Sequence, residues 1–113
     1  MAGLSLTDRI IAEARTWEGT PYRHQHSTFQ QGCDCLGLVR GVWRGVIGDE
    51  PLTAPNYSPS WDEVAKKEVL LNTTKILFRE TETPVPGNVL VFRMRRGMVA
   101  KHCAIMTAPD RMI

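Results

Sequence analysis

The chain has 113 residues, 42% hydrophobic and 23% charged, with 14 basic and 12 acidic side chains and a formal net charge of +2. That length supports one hydrophobic core, and the composition is ordinary for a folded domain, which excludes a disordered tail, a collagen-like fibre and a multidomain enzyme. A charge so close to neutral, without a dense basic stretch, argues against nucleic acid as the main partner, and no apolar run reaches the length of a membrane span.

The segment Met1 to Leu6 lacks the basic start, apolar middle and small-residue cleavage site of a signal peptide. It predicts synthesis in the cytoplasm without export by a signal of its own. The three cysteines, Cys33, Cys35 and Cys103, are an odd number and do not suggest a disulfide framework. They point to chemistry, metal binding or buried packing.

Ser5 or Thr7 can cap a first helix that runs to about Trp17, with Leu6, Ile10, Ala14 and Trp17 on one face and Gly19 ending it. Gly19 to Gly32 is polar and rich in turn formers, and reads as a surface loop. A second helix opens near Asp34 and runs to about Ile47, its apolar side marked by Leu36, Val39, Trp43 and Val46. Gly37, Gly41 and Gly45 form a stripe along it. Each glycine costs roughly 1 kcal/mol relative to alanine in a helix, so the stripe predicts a tightly packed central helix with another backbone close by.

Gly48 to Pro59 is a proline-rich loop. Ser60 and Glu63 fit a capping box for a third helix from about Trp61 to Leu71. Lys75 to Arg79 reads as a strand and Thr83 to Gly87 as a turn. Val89 to Phe92 is a short apolar run, which predicts a strand buried on both faces. Arg95 to Gly97 is a turn; Ala100 to Thr107 is the next strand; Ala108 to Asp110 turns again. Arg111 to Ile113 begins one more strand, and the expectation is a polypeptide that continues beyond it. Helices first and strands afterwards predict a single α+β domain over 1–113, with helices packed on an antiparallel sheet. The tryptophans Trp17, Trp43 and Trp61 are expected in the core. Arg93, Arg95, Arg96 and Lys101 cluster on one hairpin, where a solvated turn that protects a sheet edge is the plain reading.

Cys35 lies at the predicted start of the second helix, where free N–H groups and the dipole favour a thiolate, the nucleophilic form. Asp34 can cap that helix, while Cys33 points elsewhere as a small buried residue. On the later strand His102, Ala104 and Met106 share one face, and Cys103 and Ile105 the other. A lone strand histidine is ordinarily structural. Paired with a cysteine at a helix start, His102 reads as a general base facing it. A metal site is the rival: His24, His26, Cys33, Cys35, His102 and Cys103 are all ligand types, but Cys33 and Cys35 stand closer than structural zinc pairs usually do. His24 and His26 are solvent-exposed loop residues or contacts for substrate.

The segments Trp17-Glu18-Gly19-Thr20-Pro21-Tyr22, Gly32-Cys33-Asp34-Cys35-Leu36-Gly37-Leu38-Val39, Pro86-Gly87-Asn88-Val89-Leu90-Val91-Phe92 and His102-Cys103-Ala104-Ile105 resemble, in order and spacing, the NlpC family of cysteine peptidases. The resemblance is to the short branch found among tail genes of phages and gene transfer agents. It implies a papain-like α+β fold, no cofactor or metal, and hydrolysis of stem-peptide bonds in bacterial peptidoglycan. It implies Cys35 as nucleophile and His102 as base, with Tyr22 lining the site and Asp34 as the acidic residue before the nucleophile; His24, from its place in the loop, is added as a substrate contact. It further implies a place in a virion or phage-like tail tip, assembled in the cytoplasm beside other tail or baseplate proteins and acting on the cell wall. Leu36 replaces the serine common in the family. The third polar residue that orients the histidine has no candidate downstream of His102, so the expectation is a domain truncated at its C-terminal strands, the alternative being a copy that has lost its orienting residue. The alternatives are an inactive structural tail-tip protein of the same fold and a zinc-binding module.

Overall fold

The computed structural model describes residues 5–51, 69–93 and 96–113. The elements follow in the order α1 (Leu6–Thr16), β1 (Ser27–Thr28), β2 (Gly32–Cys33), α2 (Cys35–Val46), α3 (Val69–Leu77), β3 (Val89–Arg93), β4 (Ala100–Ala108) and β5 (Arg111–Met112). The result is an α+β domain with antiparallel sheets. Among the described residues no helix is long and apolar enough to cross a membrane.

Ser5, rather than Thr7, caps α1: its hydroxyl accepts from the Asp8 N–H at 3.1 Å. Ala14 and Trp17 are buried on the inward face and Ile10 is half-buried, but Leu6, at the first turn, remains exposed. The polar segment after α1 is not wholly irregular. Ser27 pairs with Cys33 and Thr28 with Gly32 in a two-stranded hairpin, and Tyr22 bridges to Cys33 in parallel.

The second sheet has the order β3-β4-β5, with β4 in the centre. All three helices pack against β4. Leu36, Leu38, Val39, Val42 and Val46 of α2 form the buried core with Ala14, Trp17, Leu70, Cys103 and Ile105. The strand expected at Val89 to Phe92 is present, but its residues are only half-buried. The reason is position: β3 lies at the edge of the sheet, and the doubly covered strand is β4. The strand expected at Lys75 to Arg79 is instead the end of α3, which runs to Leu77. Leu70, fully buried, anchors that helix on the core. The third-helix expectation over Trp61 to Leu71 falls mostly outside the described residues, as does Trp61. Trp43 is half-buried, with its indole N–H on the Asp49 carbonyl. In the hairpin beyond β3, Arg93 donates to the Met98 carbonyl at 2.7 Å and is exposed, as a solvated turn requires. After β4, Arg111 and Met112 turn back as the alternation suggests, and Ile113 exchanges two backbone hydrogen bonds with Ile105.

The glycine stripe is where α2 meets its neighbours. A Cβ at Gly37 would collide with the His26 carbonyl, so there the neighbour is backbone, as expected. At Gly41 the neighbour is instead the Trp17 ring, and at Gly45 the flexible end of Glu13. Gly41→Ala is therefore expected to lower stability by about 1–3 kcal/mol, because the indole has no room to retreat. Gly45→Ala is expected to be neutral or stabilising, since it gains helix propensity against a mobile side chain. Urea unfolding at constant slope distinguishes the two.

Candidate active site

The site is built from the N-terminal end of α2. Asp34 caps the helix from an extended conformation, and its Oδ1 accepts from the Gly37 N–H at 2.7 Å. Its Oδ2 accepts from the Gln25 N–H at 2.8 Å. Gln25 has φ +60°, an uncommon backbone for a residue with a side chain, and this bond helps to hold it. The Asp34 N–H donates to the His26 carbonyl at 3.3 Å. One buried carboxylate thus ties the 24–26 loop to the helix terminus. Two further bonds, Arg23 N–H to the Cys33 carbonyl and Cys33 N–H to the Pro21 carbonyl, both 3.0 Å, hold Tyr22 beside them.

These restraints place Cys35 as the first residue of α2, half-buried at the base of a cleft of about 310 Å³. Tyr22, His24, Cys33, Asp34 and His102 also line this cleft, whereas His26, the other histidine considered for substrate contact, does not. Cys33 does not point elsewhere: it is half-buried and belongs to the same wall, because β2 leads straight into the helix. His24 Nδ1 lies 3.9 Å from Asp34 Oδ2. Tyr22 is 70% exposed at the rim. Partial desolvation, then the charges of Asp34 and Cys35, push its phenol up, so it remains a neutral donor.

On β4 the alternation has a consequence that the residue pattern left unread. Cys103 and Ile105 face the core and α2, and Cys103 lines the cleft together with Cys35. His102 lies on the opposite register, exposed, with its ring stacked on Phe92 at 5.9 Å between centroids. It nevertheless lines the cleft. A bulge lies beside it: Phe92 pairs with His102 and Arg93 with Ala100, so that Lys101 is the extra residue of β4. Lys101, His102 and Cys103, three consecutive residues, all line the cleft.

The thiol of Cys35 is lowered to about 6. The largest cause is the hydrogen bond from the Cys103 side chain; burial opposes it, the Cys103 backbone and the charge of His102 reinforce it, and Asp34 opposes it again. Burial raises Cys33, with Asp34 and Cys35 adding to it. Cys103 is raised well above the ordinary thiol range, first by its hydrogen bond to Cys35 and then by burial. Of three free cysteines, only Cys35 is set to be a thiolate near neutrality. Among the described residues no three His, Cys, Asp or Glu side chains are grouped to hold a metal ion.

Alkylation should follow this asymmetry. Between pH 5 and pH 7 the reaction of Cys35 with iodoacetamide is expected to rise through a midpoint near about 6, as the thiol loses its proton. Cys103 is expected to stay unmodified across that range. Peptide masses after brief labelling check both.

Comparison with family models, with curated proteins and with solved structures finds no match to this chain.

Proposed function

We propose that the chain is a papain-like cysteine peptidase of the NlpC type that hydrolyses stem-peptide bonds of bacterial peptidoglycan. The observation that carries this reading is Cys35: a thiolate-prone cysteine at a helix N-terminus, in an open cleft that also contains His102. The sequence segments shared with that family support the choice of substrate. They also support a role in the tail tip of a phage-like particle, beside other tail proteins.

In this mechanism Cys35 Sγ attacks the carbonyl carbon of the stem peptide. The Cys35 N–H, free at the first turn of α2, donates to the oxyanion. His102 gives a proton to the amine nitrogen as the C–N bond breaks, leaving a thioester on Cys35. His102 then takes a proton from water, which attacks the thioester, releases the carboxylic acid and restores the sulfur. His102 is exposed beside Phe92, which leaves rotation of its ring in the cleft open. Tyr22, His24 and Asp34 form the wall against which the stem peptide would lie.

One observation favours a second reading, a structural tail-tip protein that keeps the fold without the chemistry. The exposed ring of His102 is engaged with Phe92. A zinc-binding module has no ligand cluster among the described residues to support it.

Turnover of purified muropeptides separates the readings. Cys35→Ala is expected to lower the rate by at least ~1,000-fold, and His102→Ala by a comparable factor, as when the members of a catalytic unit are removed singly. Equal turnover by wild type and Cys35→Ala would overturn the peptidase; no turnover by wild type would favour the structural protein.

A further inference from the structure

Asp34 carries more than the helix cap. The cap needs only Oδ1, on the Gly37 N–H. Oδ2 serves the loop: it accepts from the Gln25 N–H at 2.8 Å and lies 3.9 Å from Nδ1 of His24. The backbone around His24 is held as well. The His26 N–H donates to the Arg23 carbonyl at 3.1 Å, the Asp34 N–H donates to the His26 carbonyl at 3.3 Å, and the His26 ring Nδ1 lies 2.9 Å from the His24 carbonyl. Gln25 is kept at φ +60°, a conformation that persists only where the surroundings impose it, and such residues gather at functional sites. His24 Nδ1 is buried, yet the side chain as a whole is 33% exposed. The open edge of the ring is therefore the far one, which carries Nε2, and His24 lines the same cleft as Cys35.

We propose that His24, backed by Asp34, is a second general base of this cleft, taking the proton of the water that clears the thioester on Cys35. An imidazole nitrogen is basic only while the proton sits on the other nitrogen, and a carboxylate facing that other nitrogen fixes the tautomer. Asp34 faces Nδ1, so Nδ1 holds the proton and Nε2 keeps its lone pair. In a free enzyme such contacts are commonly long and tighten when substrate binds. His102 has a different setting: its ring stacks on Phe92, and the ion pairs among the described residues include His24 and not His102. The two imidazoles then divide the work. His102 gives its proton to the leaving amine. The water oxygen bonds to the thioester carbon while its proton passes to His24 Nε2; the C–S bond breaks and its electron pair returns to Cys35 as thiolate. The carboxylic acid leaves, His24 releases its proton to solvent, and His102 takes one from solvent.

The proposal rests on Cys35 being the nucleophile, and its test needs no peptidoglycan. Reaction of the full chain with p-nitrophenyl acetate separates the two half-reactions. The burst of p-nitrophenolate reads attack by Cys35; the steady rate that follows reads clearance of the acetyl group, which peptide mass locates on Cys35. His24→Ala is expected to keep the burst and to slow clearance about 100-fold, the lower end of what a positioned base contributes, so that acetyl-Cys35 accumulates. Added imidazole is expected to restore clearance in that variant. His24→Gln, which keeps bulk and hydrogen bonding without a base, is expected to slow clearance equally, and it decides the matter should the alanine variant fail to fold by thermal unfolding. Loss of a merely structural histidine would weaken burst and clearance together. Unchanged clearance in the folded variants, or a burst lost along with it, would overturn the proposal. A wild-type chain that is not acetylated on Cys35 would overturn the nucleophile and the proposal together. Clearance governed by His24 in a chain that cleaves no muropeptide would support His24 while overturning the peptidase reading.

Discussion

The site depends on the carboxylate of Asp34. It is 3% exposed, and it satisfies N–H groups on two separate segments, Gly37 inside α2 and Gln25 in the preceding loop. A buried charge is tolerated only where donors surround it, so the loop and the helix terminus are fixed together or not at all. Cys35 follows Asp34 directly, and its place at the mouth of the helix is therefore a by-product of the cap. The same charge works against the thiolate. The fold thus needs Asp34 for its geometry and offsets its electrostatic effect from the other side, through β4.

The remaining architecture supplies that other side. Small residues on α2 let it approach Trp17 of α1 and the His26 backbone closely. The larger residues of α2, Leu36, Leu38, Val39 and Val42, then meet the inner face of β4. β4 is the middle strand and packs against each of the described helices, and its inward side chains Cys103 and Ile105 are buried. A group on that strand is held to the core's tolerance, whereas a group on the exposed register, such as His102, keeps rotational freedom.

Much of this was legible in the residues. Ser5 and Asp34 announce their helices because a short oxygen-bearing side chain before an apolar stripe has one obvious use. Cys35 and His102 were legible as a pair because a helix start and a strand each leave a chemical signature. Lys75 to Arg79 misled because Lys-Ile-Leu-Phe-Arg carries β-favouring residues over five positions, while its helical state is set by Leu70 docking on the core, a tertiary effect. Val89 to Phe92 looked doubly buried because four apolar residues in a row say nothing of which strand lies at the edge. Cys103 was assigned to its correct face, together with Ile105. What a pattern could not supply was that this face, and not that of His102, meets α2, since the answer depends on how helix and sheet are stacked.

The bulge at Lys101 has a consequence for how this hairpin can change. A regular strand offers only alternate residues to any one surface. Here the extra residue breaks the alternation, and three neighbours in sequence reach one cleft. The spacing along the turn-proximal half of β4 therefore matters as much as residue identity. Loss of Lys101 would leave Phe92 opposite His102 and Arg93 opposite Ala100, in a regular ladder without the bulge. Ala100, buried at 2%, would keep its face, and the cleft would lose one of its three consecutive residues. Length variation should be absorbed in the turn and excluded from the bulge.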